Sequence, residues 1–413
     1  MTTLPLETST SIDTEIFSLF WILLAAFVSP VLSRLTRGYV PDVVLLLVFG
    51  VLLGPDVAGL ASTEGGVSLV SELGLGMLFL LAGFELDPLV LKSRQGASAV
   101  RTWIACVIIG YAIASFIVPG DVFTAEVAVA IAITSTALGT LLPIMKSTGM
   151  LGTPMGQAIL VHGAVGELLP IIAMALLLSS HNIGSAAIVL VLFVILAAVV
   201  GRVPQHLLSK IPWLGGMLAA GSGGTSQMIV RAVVLLLISL MALAAAFELD
   251  VVLGAFAAGA ILRRIGPDAD PHLEEKLDTL AYGLLVPIFF VSSGLNIDLE
   301  AVSSAPWTLL AVLLLIVGAR GLPISLVERF TSTGSGLTTN RERVQLSLYG
   351  ATGLPIIVAV TSVAVSTDLM PSGVASILVA SGAASVLIFP LAARLLGRKD
   401  AQDESSETTT ARP

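Results

Sequence analysis

The sequence predicts an all-α protein that crosses a lipid bilayer many times, and three observations carry that prediction. Hydrophobic residues make up 56% of the 413 and charged residues 12%, with a mean hydropathy of +1.00, whereas soluble domains carry about 25% charged residues. Apolar runs of roughly 18 residues or more, enough helix to span a bilayer, recur along the chain. Lysine and arginine gather on one side of those runs, as cytoplasmic loops require.

Taken in order, the runs predict about 13 helices, near residues 15–33, 41–60, 66–85, 98–118, 123–145, 154–179, 184–201, 227–247, 250–265, 277–295, 306–328, 342–366 and 372–396. The ninth is short, which leaves 12 open. With 13 spans every Lys and Arg except Arg320 falls on one side. That partition favours the odd count, with the N-terminus outside and the C-terminus in the cytoplasm, as in a plasma-membrane protein. Residues 1–14 read as an extracellular segment, polar and acidic, without the basic region of a signal peptide; 397–413 read as a disordered tail. The net charge of −8 comes mainly from acidic residues at the ends and in loops, and no basic patch for nucleic acid is present. Cys106 is a lone cysteine inside an apolar run, which excludes a disulfide frame and reads as packing.

An internal repeat is visible. The third span ends FLLAGFELD, residues 79–87, and the tenth ends FVSSGLNID, residues 290–298, with Phe, Gly and the final Asp in register. Seven spans separate them, so the second copy is inverted, the arrangement that places a transporter's site at the repeat interface. Six helices, a linker helix and six more follow from that offset. The linker helix and loop, about 181–226, include the Gly- and Ser-rich stretch WLGGMLAAGSGGTS, a flexible connector with a short interfacial piece near Trp213. Residues 331–340, TSTGSGLTTN, read as a mobile loop.

Two spans are poor helix. ITSTALGTLLP, residues 133–143, sets Thr134, Ser135 and Thr136 before Gly139 and Pro143, and YGATGLPIIVAVTS, residues 349–362, places Gly350, Thr352, Gly353 and Pro355 at the matching point of the second half. Gly and Pro interrupt the backbone ladder and hydroxyls compete for it. One such segment alone is as easily a kink; paired breaks in matching repeat positions point to a binding site with freed carbonyls.

Glu167 lies near the middle of the sixth span, GTPMGQAILVHGAVGELLPIIAMALLL. A charge there costs roughly 2.5–3.5 kcal/mol or more, so it marks a functional site by default, against the alternative of a protonated Glu bonding between helices. Arg320 is the one cation left inside a span. A carboxylate or a broken helix C-terminus is its expected partner, unless it snorkels toward Glu328 and Arg329 at the surface. His162, about 140° round the helix from Glu167, reads as hydrogen-bonded or facing a cytoplasmic vestibule. Glu72, Glu126 and Glu248 read as solvated or interfacial, and Glu85 with Asp87 as a helix stop.

The phrases ITSTALGTLLPIMKSTG, GVLLGPDVAGL, FLLAGFELD and FFVSSGLNID, in this order and spacing, resemble the monovalent cation:proton antiporter superfamily, in particular the bacterial Na⁺/H⁺ and K⁺/H⁺ exchangers of potassium-efflux type. The resemblance covers about residues 15–396. It implies a 13-helix homodimer, with a dimer subdomain near 15–90 and 227–300, a mobile core near 97–180 and 306–396, and two broken helices crossing at the midplane. Where the family pairs polar residues in the sixth span, often Asp-Asp or Asn-Asp, this chain has Gly166 and Glu167. The family's basic residue of the eleventh span falls on Arg320.

One carboxylate that holds either a proton or a cation couples their opposite movement. Burial raises a Glu pKa and a nearby Arg⁺ lowers it. Glu167 with hydroxyls at Thr134, Ser135, Thr136 and Thr352 and freed carbonyls would bind Na⁺ or K⁺ transiently, and a single acid beside a permanent Arg charge predicts 1:1 electroneutral exchange. The rivals are a cation channel lined by Glu167 and a sodium-coupled organic-anion symporter, which the lack of other basic groups near the midplane disfavours. No nucleophile elbow, metal-ligand spacing or phosphate loop occurs, so neither an enzyme nor a cofactor is expected.

Overall fold

The computed structural model describes residues 7–36, 39–86, 92–117, 123–177, 188–199, 227–269 and 272–410. Among these there is no strand, and ten helices are long and apolar enough to cross a membrane. The chain is a multi-pass, all-helical membrane protein. Asp42–Leu53 and Ile188–Val199 are apolar but shorter, and Val251–Ala269 carries Arg263, Arg264 and Asp268 in its last third. Of the 13 spans expected, ten meet that standard among the described residues. Arg202–Ser226, which holds most of the expected linker loop, and Asp87 lie outside the described residues.

The chain divides into two compact units. Unit 1 comprises Met1–Gly38, Leu45–Leu86 and Met174–Ile297. It is built from α1 (Glu7–Leu35), most of α2 (Asp42–Leu53) and α3 (Gly66–Glu85), then the end of α7 (Pro154–Leu177), α8 (Ile188–Val199), α9 (Met228–Ala246), α10 (Val251–Ala269), α11 (Leu273–Leu280) and α12 (Val286–Leu295). Helix α1 already begins at Glu7, inside the segment read as an extracellular lead.

Glycines close unit 1. A Cβ on Gly83 of α3 would collide with the Phe256 carbonyl of α10, and one on Gly259 of α10 with the Leu80 carbonyl of α3. Gly50 of α2 and Gly294 of α12 exclude each other's Cβ in the same way. Gly83 and Gly294 hold the same place in the two repeated phrases. The repeat is therefore physical as well as textual: each copy's third helix packs backbone to backbone on the other copy's second. Arg263 donates to the carbonyls of Phe84 (2.9 Å) and Glu85 (3.4 Å), satisfying the last turn of α3 where the helix stop is expected. Gly83→Leu overpacks this contact and is expected to cost about 1–3 kcal/mol, read as a lower thermal midpoint in detergent. Gly283→Ala, where nothing lies within 4 Å of the added carbon, is expected to leave the midpoint unchanged.

Unit 2 comprises Tyr39–Val44, Asp87–Ala173 and Asp298–Pro413. Its helices are α4 (Arg94–Ile117), α5 (Phe123–Ile133), α6 (Leu138–Thr148), most of α7, α13 (Leu299–Ser304), α14 (Pro306–Ile316), α15 (Leu322–Phe330), α16 (Asn340–Gly350), α17 (Pro355–Ser366) and α18 (Ser372–Thr410). Both expected breaks exist. The first falls at Thr134–Ala137, ahead of Gly139, which is helical; the hydroxyl run itself, rather than Gly139 or Pro143, stops the helix. The second falls at Ala351–Leu354, with Gly350 ending α16 and Pro355 opening α17 at a first-turn position that needs no N–H.

Two expectations for this unit are corrected. Segment 331–340 is packed, not mobile: Thr333, Ser335 and Leu337 alternate inward at 4%, 8% and 7% exposure. It ends in a capping box in which Thr339 accepts from the Glu342 N–H at 3.1 Å and Glu342 accepts from the Thr339 N–H at 2.8 Å. Helix α18 runs on to Thr410, so 397–410 continue as helix instead of the disordered tail; no Gly or Pro follows Gly397 to stop it before Ala411.

Sequence periodicity does not reveal two π-helical turns, Ala281–Leu285 and Val317–Gly321. Each is followed two residues later by a proline, Pro287 and Pro323. A proline cannot donate to the carbonyl four residues back and clashes with it, and a wider turn accommodates both faults.

Candidate functional site

The two breaks meet inside unit 2. The Ala137 N–H donates to the Thr352 carbonyl at 2.8 Å, and a Cβ on Gly353 would lie 2.8 Å from the Ser135 carbonyl. Each break is also tied to the last span of its own half. Pro170 in α7 has no N–H for the Gly166 carbonyl, four residues back, and that carbonyl accepts from the Thr136 N–H at 2.9 Å. One orphan donor from a helix break thus satisfies one orphan acceptor left by a proline. In the second half Ser385 of α18 accepts from the Gly353 N–H at 3.3 Å and donates to the Gly353 carbonyl at 3.2 Å.

Arg320, in the second π turn, is fully buried. Its Nε donates to Thr136 Oγ1 (3.1 Å) and to the Gly350 carbonyl (3.3 Å), and its Nη2 to the His162 carbonyl (2.8 Å). Thr136 Oγ1 donates to the same Gly350 carbonyl. The broken-helix C-terminus expected as Arg320's partner is the end of α16, where the helix dipole favours a cation. Cys106 of α4 is not mere packing: Arg320 Nη1 lies 3.8 Å from its Sγ, which sits 3.7 Å from the Arg320 carbonyl. The guanidinium thus joins α4, the first break, α7 and the end of α16.

Glu167 is buried (5% exposed) on α7, one residue beyond the carbonyl that holds Thr136. Gly166 shows why the position before it is bare. A Cβ there would collide with Arg320 Nη2 and lie within 3.0 Å of the Thr136 side chain. The Gly166→Asn substitution is expected to displace Arg320 and lower the thermal midpoint, by about 1–3 kcal/mol of overpacking.

The candidate ligands are not equivalent. The hydroxyls of Thr134 and Ser135 donate to Ala130 (2.6 Å) and Ala132 (2.8 Å) carbonyls, which leaves their oxygens as pure acceptors. Thr136 is engaged by Arg320 and Gly350, and Thr352 donates to the Leu348 carbonyl at 3.1 Å. Of the freed carbonyls, Gly350 and Thr352 already accept hydrogen bonds. Among the described residues no group of three His, Cys, Asp or Glu could hold a metal ion.

Two acids differ from expectation. Glu126 is buried (4% exposed) because α4 and α17 pack on α5, whereas Glu72 and Glu248 are exposed. Glu328 is also buried (5% exposed) and its Oε1 lies 3.5 Å from His162 Nε2, so it does not mark the surface. The adjoining hydroxyls Thr333 and Ser335 were the sequence signal for it.

The sequence profile described as "Sodium/hydrogen exchanger, transmembrane" matches residues 22–398. The chain belongs to the sodium/hydrogen exchanger family. This exchanger-family chain is 25% identical over 426 aligned positions to the putative Na(+)/H(+) antiporter YjbQ of Bacillus subtilis, an alignment covering 96% of the chain and 66% of YjbQ. It therefore spans slightly less than two thirds of that relative. It is 24% identical to the Na(+)/H(+)-K(+) antiporter GerN of Bacillus cereus, over 67% of the chain and 70% of GerN. The sodium proton antiporter MjNhaP1 of Methanocaldococcus jannaschii shares its fold, with a TM-score of 0.56 at 17% identity over 92% of this exchanger-family chain and 94% of MjNhaP1.

Proposed function

We propose that this chain exchanges H⁺ for a monovalent cation, Na⁺ or K⁺, across a plasma membrane by alternating access. The observation that carries the reading is a buried carboxylate, Glu167, adjoining the carbonyl that ties α7 to the first helix break, with Arg320 clamped against the crossing. The relatives' names agree with it. Burial disfavours the charged carboxylate unless a proton or a cation neutralises it, so the two compete for one place. Thr134 and Ser135, as acceptor-only oxygens, suit a hard cation; Thr136 serves the scaffold. Arg320 keeps its proton throughout, so one proton leaves for each cation bound and exchange is 1:1 and electroneutral. Unit 2, which holds both breaks, is the moving core of a homodimer, and the chain crosses the membrane 13 times with the N-terminus outside.

The test is a pH-gradient assay in proteoliposomes with Na⁺, K⁺ or Li⁺. The expected result is cation-dependent collapse of the gradient at a rate indifferent to an imposed membrane potential. Cation movement without proton countermovement would make the protein a channel, and a rate that follows the potential would overturn the 1:1 stoichiometry.

A further inference from the structure

His162 and Glu328 are buried side by side within unit 2, and the proposed exchange does not use them. Their side chains are each 1% exposed and approach to 3.5 Å, beyond the 2.9–3.0 Å usual for N–H···O. Neither imidazole nitrogen nor Glu328 Oε1 has a hydrogen-bond partner. Glu328 Oε2 accepts from Thr333 Oγ1 at 2.7 Å and from Ser335 Oγ at 2.6 Å. The pair thus links α7, α15 and the packed segment that closes over them.

A buried carboxylate is costly unless paired, and an imidazole is the side chain whose charge changes in the physiological range. With one proton shared between them, the two groups are neutral overall; with none, a net negative charge is sealed inside. Charged and titratable groups lie on each element around the pair. Arg320 reaches the carbonyl of His162 itself, Cys106 of α4 rests on that guanidinium, and Tyr349 of α16 is buried with Ile159 and Leu337. Arg94 at the start of α4 donates to Ser332 at 2.5 Å. Glu342 accepts from the N–H groups of Thr338 and Thr339, Arg329 follows Glu328, and Glu167 lies further along α7.

We propose that His162 and Glu328 form a second proton-binding site, distinct from Glu167, which is not emptied during exchange and which holds segment 331–340 and α15 against α7. Its occupancy sets the pH range over which exchange runs, a consequence that rests on the antiport reading above. Proton binding at the pair does not rest on it.

The test has two arms. In the first, His181, His206 and His272 are replaced by Gln in the full chain, and the ¹⁵N signals of the remaining imidazole are followed with pH. They are expected to titrate, with a midpoint that Glu328→Gln moves by about one pH unit or more, a tenfold change in proton affinity. No titration, or a midpoint indifferent to Glu328→Gln, would overturn the site whether or not the protein exchanges ions. In the second, Glu328→Gln is expected to keep the maximal exchange rate within about twofold while displacing the pH of half-maximal rate by about one unit. Thr333→Val with Ser335→Ala, which removes two donors from the ionised carboxylate and so strengthens proton binding at the pair, should displace it in the opposite direction. An unmoved profile would remove the control of pH, and loss of exchange at every pH in a protein that still melts normally would place the pair on the transport path.

Discussion

The Glu167→Gln protein is expected to show cation-dependent proton flux no greater than protein-free vesicles while melting at the same temperature as the parent or above it. A carboxamide neither binds nor releases a proton at working pH, so the competition that couples the two ions disappears. Its neutral group also removes the cost of a buried charge, roughly 2.5–3.5 kcal/mol for an acid at a span's centre. Function lost with stability kept separates an ion site from a structural hydrogen bond, which would lose both. Glu167→Asp, one methylene shorter, is expected to retain exchange with weaker cation binding. Proton flux that survives in Glu167→Gln and still answers to cation would remove the carboxylate from the mechanism.

Arg320→Met is expected to have the opposite signature, a large loss of stability. It strips donors from the carbonyls of Gly350 and His162 and from Thr136, at a fully buried position. Hydrogen bonds from charged groups contribute about 1.5–3 kcal/mol each, so a total of about 3 kcal/mol or more is expected. Arg320→Lys keeps the charge but not the planar fork, and should fall between. Thermal midpoints in detergent measure both; a midpoint unchanged by Arg320→Met would show that the crossing holds without the guanidinium.

Much of this was legible in the sequence because depth in a membrane is written in hydropathy. Glu167 and Arg320 stand out as charges inside apolar runs, and the breaks as hydroxyls, Gly and Pro inside helices. Lateral neighbours are not written there. Glu328 beside Arg329 reads as a span end, and only packing of α7 on α15 shows it facing His162, 166 positions earlier in the chain. Cys106 reads as filler because nothing local announces Arg320, and 331–340 reads as mobile because alternate burial of short polar residues resembles any Ser/Thr-rich loop. The role of Gly166 was half visible: its missing side chain was plain, but not that a guanidinium occupies the room.

The π turn at Val317–Gly321 resets the phase of the helix that contains it. At about 100° per residue, Ile316 and Ile324 would point about 80° apart on an uninterrupted α-helix. With one residue absorbed by the wider turn, the offset falls to about 20°, and both side chains are buried, at 1% and 0% exposure. One inward stripe therefore continues through the discontinuity, so that the half of the helix carrying Glu328 is turned toward the same interior as the half leading into Arg320.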